Sequence, residues 1–386
     1  MRRGVKLTLM ALTGFVCGAL VVFGLFGPQA RAKSGGIAPL ASVGAYRQFV
    51  DDFWPRARRA GISRRTYKRA FRIMKPDADV LRRLHRQPEF HLSADDYLRQ
   101  RLTEKRIMTG VAMLRRHKGL LRRLQLRHGV DKHILLAIWG IESNYGAHTG
   151  RHGVIRALAT LAAFGGRYRR YGRKQLLAAL KILQAGDISV AGMRGSWAGA
   201  MGQTQFIPTT YLGYAVDADG DGRRDIWNSV ADGLASAANY LKRRGWRRGR
   251  PWGWEVRAPA RARRLLGRRH ARSVAAWEKL GVRPRHARAF YARRERAWLL
   301  RLRGSGRYFL VTGNFRALLA YNNARTYGVA VGLLADAIAR AASRPLERPA
   351  MVSASAPEAT ASISARERAR LEALAAAAAA GLPTAQ

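Results

Sequence analysis

The stretch Ile134-Leu-Leu-Ala-Ile-Trp-Gly-Ile-Glu142-Ser-Asn-Tyr-Gly146 decides how the rest of the chain is read. Its apolar residues Ile134, Leu135, Ile138 and Ile141 recur at helical spacing. Glu142 follows Ile138 by four positions and Leu135 by seven, so it shares their face of an amphipathic helix. Gly146 fits the position just past the helix end. A carboxylate on an apolar face is costly unless it is paired or keeps its proton. Burial raises a carboxyl pKa, and a raised pKa makes a general acid usable near neutrality. A buried glutamate held by a structural partner is the plainer alternative.

A second stretch bears on that choice: Gly195-Ser-Trp-Ala-Gly-Ala-Met-Gly-Gln-Thr-Gln-Phe-Ile-Pro-Thr-Thr-Tyr211. Its glycines let a backbone run close to another chain or to a ligand. Gln203 and Gln205 donate and accept hydrogen bonds without bringing charge, which suits sugar hydroxyls and N-acetyl groups. Trp197, Phe206 and Tyr211 offer faces for sugar rings. A glycine-rich loop with ordinary core aromatics is the simpler reading of the same residues.

The chain has 386 residues and a formal net charge of +47. That charge favours polyanions such as nucleic acid, acidic lipid or an anionic wall polymer. Arg2, Arg3 and Lys6 precede an apolar run from Leu7 to Phe26, and Ala30-Arg31-Ala32 offers a small-x-small cleavage site. Residues 1–32 therefore read as an export signal or an N-terminal membrane anchor, and the expected address is the periplasm, with inner-membrane anchoring through 7–26 as the variant. Cys17 is the only cysteine, so cleavage after Ala32 would leave no thiol chemistry. The nine histidines show no metal-binding spacing, and no nucleic-acid motif is present.

Residues 33–43 read as a flexible leader and 44–344 as the functional region. Helical periods run through Tyr46–Met74 and Tyr97–Leu126, with 86–90 as an extended connector. Further helices are expected at Val154–Phe164, Arg167–Gly186, Val230–Leu241 and Asn314–Ala342. Residues 247–306 look like an irregular insert, with short strands at Trp252–Val256 and Tyr308–Thr312. The Pro, Ser and Ala content of 345–386 marks a mobile tail. The fold class is mainly α, with only minor β structure.

Ile141-Glu-Ser-Asn-Tyr-Gly146, followed by Gly195-Ser-Trp-Ala-Gly-Ala-Met-Gly-Gln-Thr-Gln-Phe-Ile-Pro208, resembles the lytic murein transglycosylase B family. Gln87-Pro-Glu-Phe90, Asp217-Ala-Asp-Gly-Asp-Gly222, Ala238-Asn-Tyr-Leu241 and Phe315-Arg-Ala-Leu-Leu-Ala-Tyr-Asn-Asn323 extend the likeness to roughly residues 44–340. The resemblance implies a lysozyme-like catalytic α-domain, with the active-site core at about 97–246 and 307–342. It implies cleavage of the β-1,4 bond between N-acetylmuramic acid and N-acetylglucosamine, leaving 1,6-anhydro ends. Glu142 falls on the family's catalytic glutamate, a single acid/base. Ser196, Gln205, Tyr321 and Asn322 fall on positions that line its cleft, with Gln203 and Met201 as weaker matches. The implied partner is the peptidoglycan strand, bound by a monomer. A hydrolytic muramidase, or a non-catalytic peptidoglycan- or polyanion-binding protein, is the alternative.

Asp217, Asp219 and Asp221, with Gly222 at the sharp turn, open like a calcium loop. The resemblance adds Asp232 as the closing ligand, although Ser229-Val-Ala-Asp232 also reads as a capping-box-like helix start. The chemistry itself requires no cofactor; the calcium would be structural.

Overall fold

The computed structural model describes residues 42–85 and 92–343. The export segment, the connector at 86–90 and the tail at 345–386 lie outside the described residues, as does the expected leader apart from Ser42 and Val43. Ser42 caps the first helix, its Oγ accepting the Ala45 N–H.

The chain runs through α1 (Val43–Arg59), α2 (Arg64–Ala70), α3 (Ala78–His85), α4 (Ala94–Arg101), α5 (Glu104–Arg116), α6 (Lys118–His128) and α7 (Lys132–Ser143). A two-residue strand β1 (His152–Gly153) leads into α8 (Val154–Phe164) and α9 (Arg169–Ala185). Then come β2 (Arg194–Gly195), α10 (Pro208–Tyr214), α11 (Val230–Arg243) and β3 (Gly253–Arg257). After these follow α12 (Ala260–Arg263), β4 (Arg272–Ser273), α13 (Val274–Lys279), β5 (Arg283–Pro284), β6 (Arg296–Arg301) and β7 (Tyr308–Thr312). Two helices, α14 (Gly313–Tyr321) and α15 (Arg325–Ser343), close the described chain.

Local chemistry explains most boundaries. Ser63 and Thr103 each accept a backbone N–H two or three residues into the next helix, which satisfies an otherwise orphaned donor. The basic region expected as one or two helices divides into three, because Leu102 and His117 interrupt it.

Two expectations need correction. The central helix α7 is not amphipathic. From Ile134 to Ser143 every residue except Glu142 is buried, because α5, α6, α11 and α15 surround it. Its end is not set by Gly146 either. Asn144 (φ 51°) and Tyr145 (φ 59°) take the left-handed conformation. Asn tolerates this well and Tyr does not. The Tyr145 ring is buried and its hydroxyl donates to the Arg106 carbonyl, which supplies the compensation.

The stretch read as an irregular insert contains most of an antiparallel five-stranded sheet, ordered β4-β6-β7-β3-β5. Along β7, Phe309 and Val311 enter the main helical core, while Leu310 points into a second core with Trp254, Trp277 and Leu299. The sheet is thus covered on both faces. Its strands therefore lack the polar alternation that marks a half-exposed sheet.

Candidate active site

Glu142 sits in the last turn of α7 and is half-buried. Its Oε1 accepts a hydrogen bond from the Tyr327 hydroxyl at 2.7 Å. Burial pushes the Glu142 carboxyl up to about 8; the Tyr327 hydrogen bond and the Arg101 charge act against that rise. Among the described residues no acidic group is among the charges that move it. The carboxyl therefore holds a proton through neutral pH and can give it to a group that enters the site.

Ser143, the next residue, fixes the facing loop. Its hydroxyl donates to the Gln203 carbonyl at 2.6 Å and accepts the Gly146 N–H at 3.0 Å. Gly202 lies against the Ile226 carbonyl, where a Cβ would come within 2.4 Å of the oxygen. Only glycine permits that approach, and it also supplies the φ of 66°.

The residues expected in the cleft divide by what their polar atoms do. Ser196 is half-buried, and its Oγ accepts the Ala200 N–H at 3.0 Å across a tight turn. Gln203 is buried, and its amide donates to the Trp227 carbonyl at 3.4 Å. Gln205 is buried at φ 52°, with its amide nitrogen donating to the Thr149 and Gly202 carbonyls. The Tyr321 hydroxyl donates to the Thr204 carbonyl at 2.7 Å. Asn322 accepts the Ala324 N–H at 3.1 Å, at the start of α15. The fold thus ties the 196–205 loop to Ser143 and to the α14–α15 corner. Gln203 and Gln205 use these bonds to brace the loop against Trp227 and Thr149, while Tyr321 and Asn322 shape the corner.

Sequence reading missed Tyr327, because no spacing rule links positions separated by 185 residues. It also missed Tyr97 and Arg101, which reach the Glu142 neighbourhood from α4. Tyr327 stacks on Tyr321 with ring centroids 6.4 Å apart, and Tyr321 packs edge-on against Tyr240 at 5.2 Å. Tyr240 in turn meets Tyr214 at 4.6 Å, giving a continuous array of four tyrosines.

In the acidic loop, Asp217, Asp219 and Asp221 bring carboxylate oxygens within 4.8 Å of one another. Asp232 does not join them. It is fully buried, its Oδ1 accepts the Ala218 N–H and its Oδ2 the Asp225 N–H, each at 2.7 Å. Burial raises its carboxyl pKa. Asp232 pins the loop through the backbone, and Ser229 caps its helix as the alternative reading required.

A largely helical fold with a half-buried glutamate at the end of its central helix is that of the lysozyme-like lytic transglycosylases. The chain belongs to the transglycosylase SLT domain family, whose pattern matches residues 45–336. It is 32% identical over 248 residues to the membrane-bound lytic murein transglycosylase B of Escherichia coli (strain K12), covering 64% of this chain and 67% of that protein. It is also similar to the solved structure of SltB3 from Pseudomonas aeruginosa in complex with NAG-anhNAM-pentapeptide. That match has 47% identity, covers 76% of this chain and 79% of SltB3, and has a TM-score of 0.72. Escherichia coli Slt35 in complex with calcium matches at 26% identity over 78% of this chain and 94% of that one, with a TM-score of 0.64.

Proposed function

We propose that Glu142 is the sole acid/base by which this lytic murein transglycosylase opens the β-1,4 bond between N-acetylmuramic acid and N-acetylglucosamine. The proton of Glu142 passes to the leaving glycosidic oxygen as the C1–O bond breaks, with the bonding pair going to that oxygen. The resulting carboxylate takes the proton of the muramic acid C6 hydroxyl, whose oxygen closes on C1. The product is a 1,6-anhydro ring, and the acid is restored without water. The observation that carries this reading is the place of Glu142 at the end of a buried helix, with the Tyr327 hydroxyl at 2.7 Å, burial pushing its carboxyl up to about 8, and no acidic partner among the described residues. A two-carboxylate glycosidase needs a second acid beside the first.

Ser196 is the half-buried polar group of the facing loop and contacts the sugar. Gln203, Gln205, Tyr321 and Asn322 hold the loop in the shape that receives the N-acetyl groups. Asp217, Asp219 and Asp221 suit a structural calcium ion, with Gly222 at φ 83° making the turn between them and α11. The export segment at 1–32 supports a periplasmic address. Among the described residues no helix is long and apolar enough to cross a membrane.

The test is mass spectrometry of muropeptides released from purified peptidoglycan by the wild type and by Glu142→Gln. Products lighter by one water, absent with the variant, are expected. Ordinary reducing ends would instead make the protein a hydrolase.

A further inference from the structure

Arg101 ends α4 and has a half-buried side chain. Its guanidinium lies over the Tyr97 ring, 5.2 Å from the centroid. Its Nε is buried without a hydrogen-bond partner, and among the described residues the side chain forms no ion pair. Its contacts on Tyr97 are with a neutral ring and phenol, so its positive charge is left without a contacting anion among the described residues.

A second arginine holds it in place. Arg106 on α5 donates from Nη1 to the carbonyls of Gln100 (2.9 Å) and Arg101 (3.0 Å). The same guanidinium donates from Nε to the Gly140 carbonyl at 3.1 Å, two residues before Glu142. The end of α4 is thus clipped to the turn of α7 that carries the acid. Among the described residues, the Tyr327 hydroxyl from α15 contacts Glu142, and the charges of Arg101 and the Tyr97 phenol, both on the clipped end of α4, act on it through space. Arg106 turns its own guanidinium to the main chain.

We propose that Arg101 is a positioning residue for the acid: held near Glu142 but outside contact, its charge stabilises the carboxylate that proton donation leaves behind. The proposal rests on the reading of Glu142 as the acid. Distance is the essential feature. A guanidinium in direct contact would keep Glu142 ionised and leave no proton to give. With no cation nearby, the carboxylate formed in a desolvated site would be too poorly stabilised to release the proton readily. A through-space charge serves both halves of the cycle, since the carboxylate must form and then regain its proton from the C6 hydroxyl.

The test compares Arg101→Met, which keeps side-chain length and loses the charge, with Arg101→Lys. The pH dependence of anhydro-muropeptide formation is measured for both. Loss of the charge should carry the alkaline limb upward by roughly half to one pH unit and lower kcat about tenfold, with KM little changed. Arg101→Lys should restore most of both. An unmoved limb with a raised KM would overturn the proposal and make Arg101 a substrate contact. An unmoved limb with a lowered melting temperature would overturn it in favour of a packing role. NMR titration of the 13C-labelled Glu142 carboxyl in wild type and Arg101→Lys gives the comparison without turnover, should Arg101→Met fold poorly. A normal Arg101 effect on that titration, in a protein that releases no anhydro product, would keep this inference and remove the reaction assigned to Glu142. Equal titrations in wild type, Arg101→Lys and Arg101→Met would overturn the inference.

Discussion

Glu142 and Glu255 stand one in each of this fold's two kinds of structure, and they end in opposite states. Glu255 lies on β3 and is 7% exposed. Arg307 grips it with Nε at 3.0 Å and Nη2 at 2.8 Å, and the His286 ring adds a contact at 3.1 Å. Burial alone would raise its pKa, but Arg307 and His286 outweigh burial and hold the carboxyl below its ordinary value. Glu142, among helices, has a tyrosine hydroxyl in contact and a cation only at a distance, and burial prevails. Burial alone therefore does not keep a carboxyl protonated; among the described residues the difference is that Glu255 has contacting cations and Glu142 has none.

Replacing each glutamate tests that contrast, and the largest effect belongs to Glu142→Gln. Formation of anhydro-muropeptides should fall by roughly two to four orders of magnitude, the scale of a lost general acid. Stability should move the other way. Glu142 titrates higher in the folded chain than in the unfolded one. Its folded state is therefore penalised increasingly as pH rises from about 4.3 towards the folded value of about 8. The variant should melt at a higher temperature than wild type at pH 8, and the gain should vanish at pH 4. Equal melting at both pH values would break the comparison.

Glu255→Gln should show the reverse pattern. Activity per folded molecule should be unchanged, while stability falls by roughly 2–3 kcal/mol, because the guanidinium and imidazole lose their anion. This carboxyl titrates lower when folded. Its contribution is present above the unfolded value of about 4.3 and is lost as pH falls through the folded one. Urea midpoints of variant and wild type should therefore converge on acidification.

Tyr327→Phe sharpens the contrast by removing the hydrogen bond that the Tyr327 hydroxyl gives to Glu142. The ring still stacks on Tyr321, so folding should survive. A drop of about fivefold to tenfold in kcat is expected, with the alkaline limb moved upward because that hydrogen bond favours the carboxylate. The smallest effect belongs to the acidic loop, where carboxylates gather without enough protein cations. Chelation of calcium should lower the melting temperature by about a few degrees and leave turnover at room temperature nearly intact. Calorimetry with and without chelator checks it.

The contrast also explains what the sequence disclosed. Glu142 stood out because it is the one carboxylate in an otherwise apolar stretch, and Ser63, Ser229 and the α8 boundaries followed from local capping and periodicity. Glu255 and its sheet did not stand out. β6 reads Arg-Ala-Trp-Leu-Leu-Arg without clean alternation because both of its faces are covered, and β4 and β5 are only two residues long. Asp232 was misjudged as a ligand because a buried carboxylate that accepts two backbone amides looks, in sequence, like any loop-closing acid. Tyr327 and Arg101 act across long separations, which only the assembled fold brings together.

The tyrosine array has a consequence for motion. Tyr240 and Tyr321 are fully buried and Tyr327 nearly so. The hydroxyls of Tyr240 and Tyr321 are anchored on the main-chain carbonyls of Ala320 and Thr204, and neither ring turns over without dilating the close-packed neighbours around its edges. The array behaves as a strut from α11 to the acid. In an NMR spectrum the two edges of each of these rings should resolve as separate signals, the mark of slow flipping. Under the proposed reaction, the proton of Glu142 leaves from a fixed point in space, and it is the glycan strand that must bend to meet it.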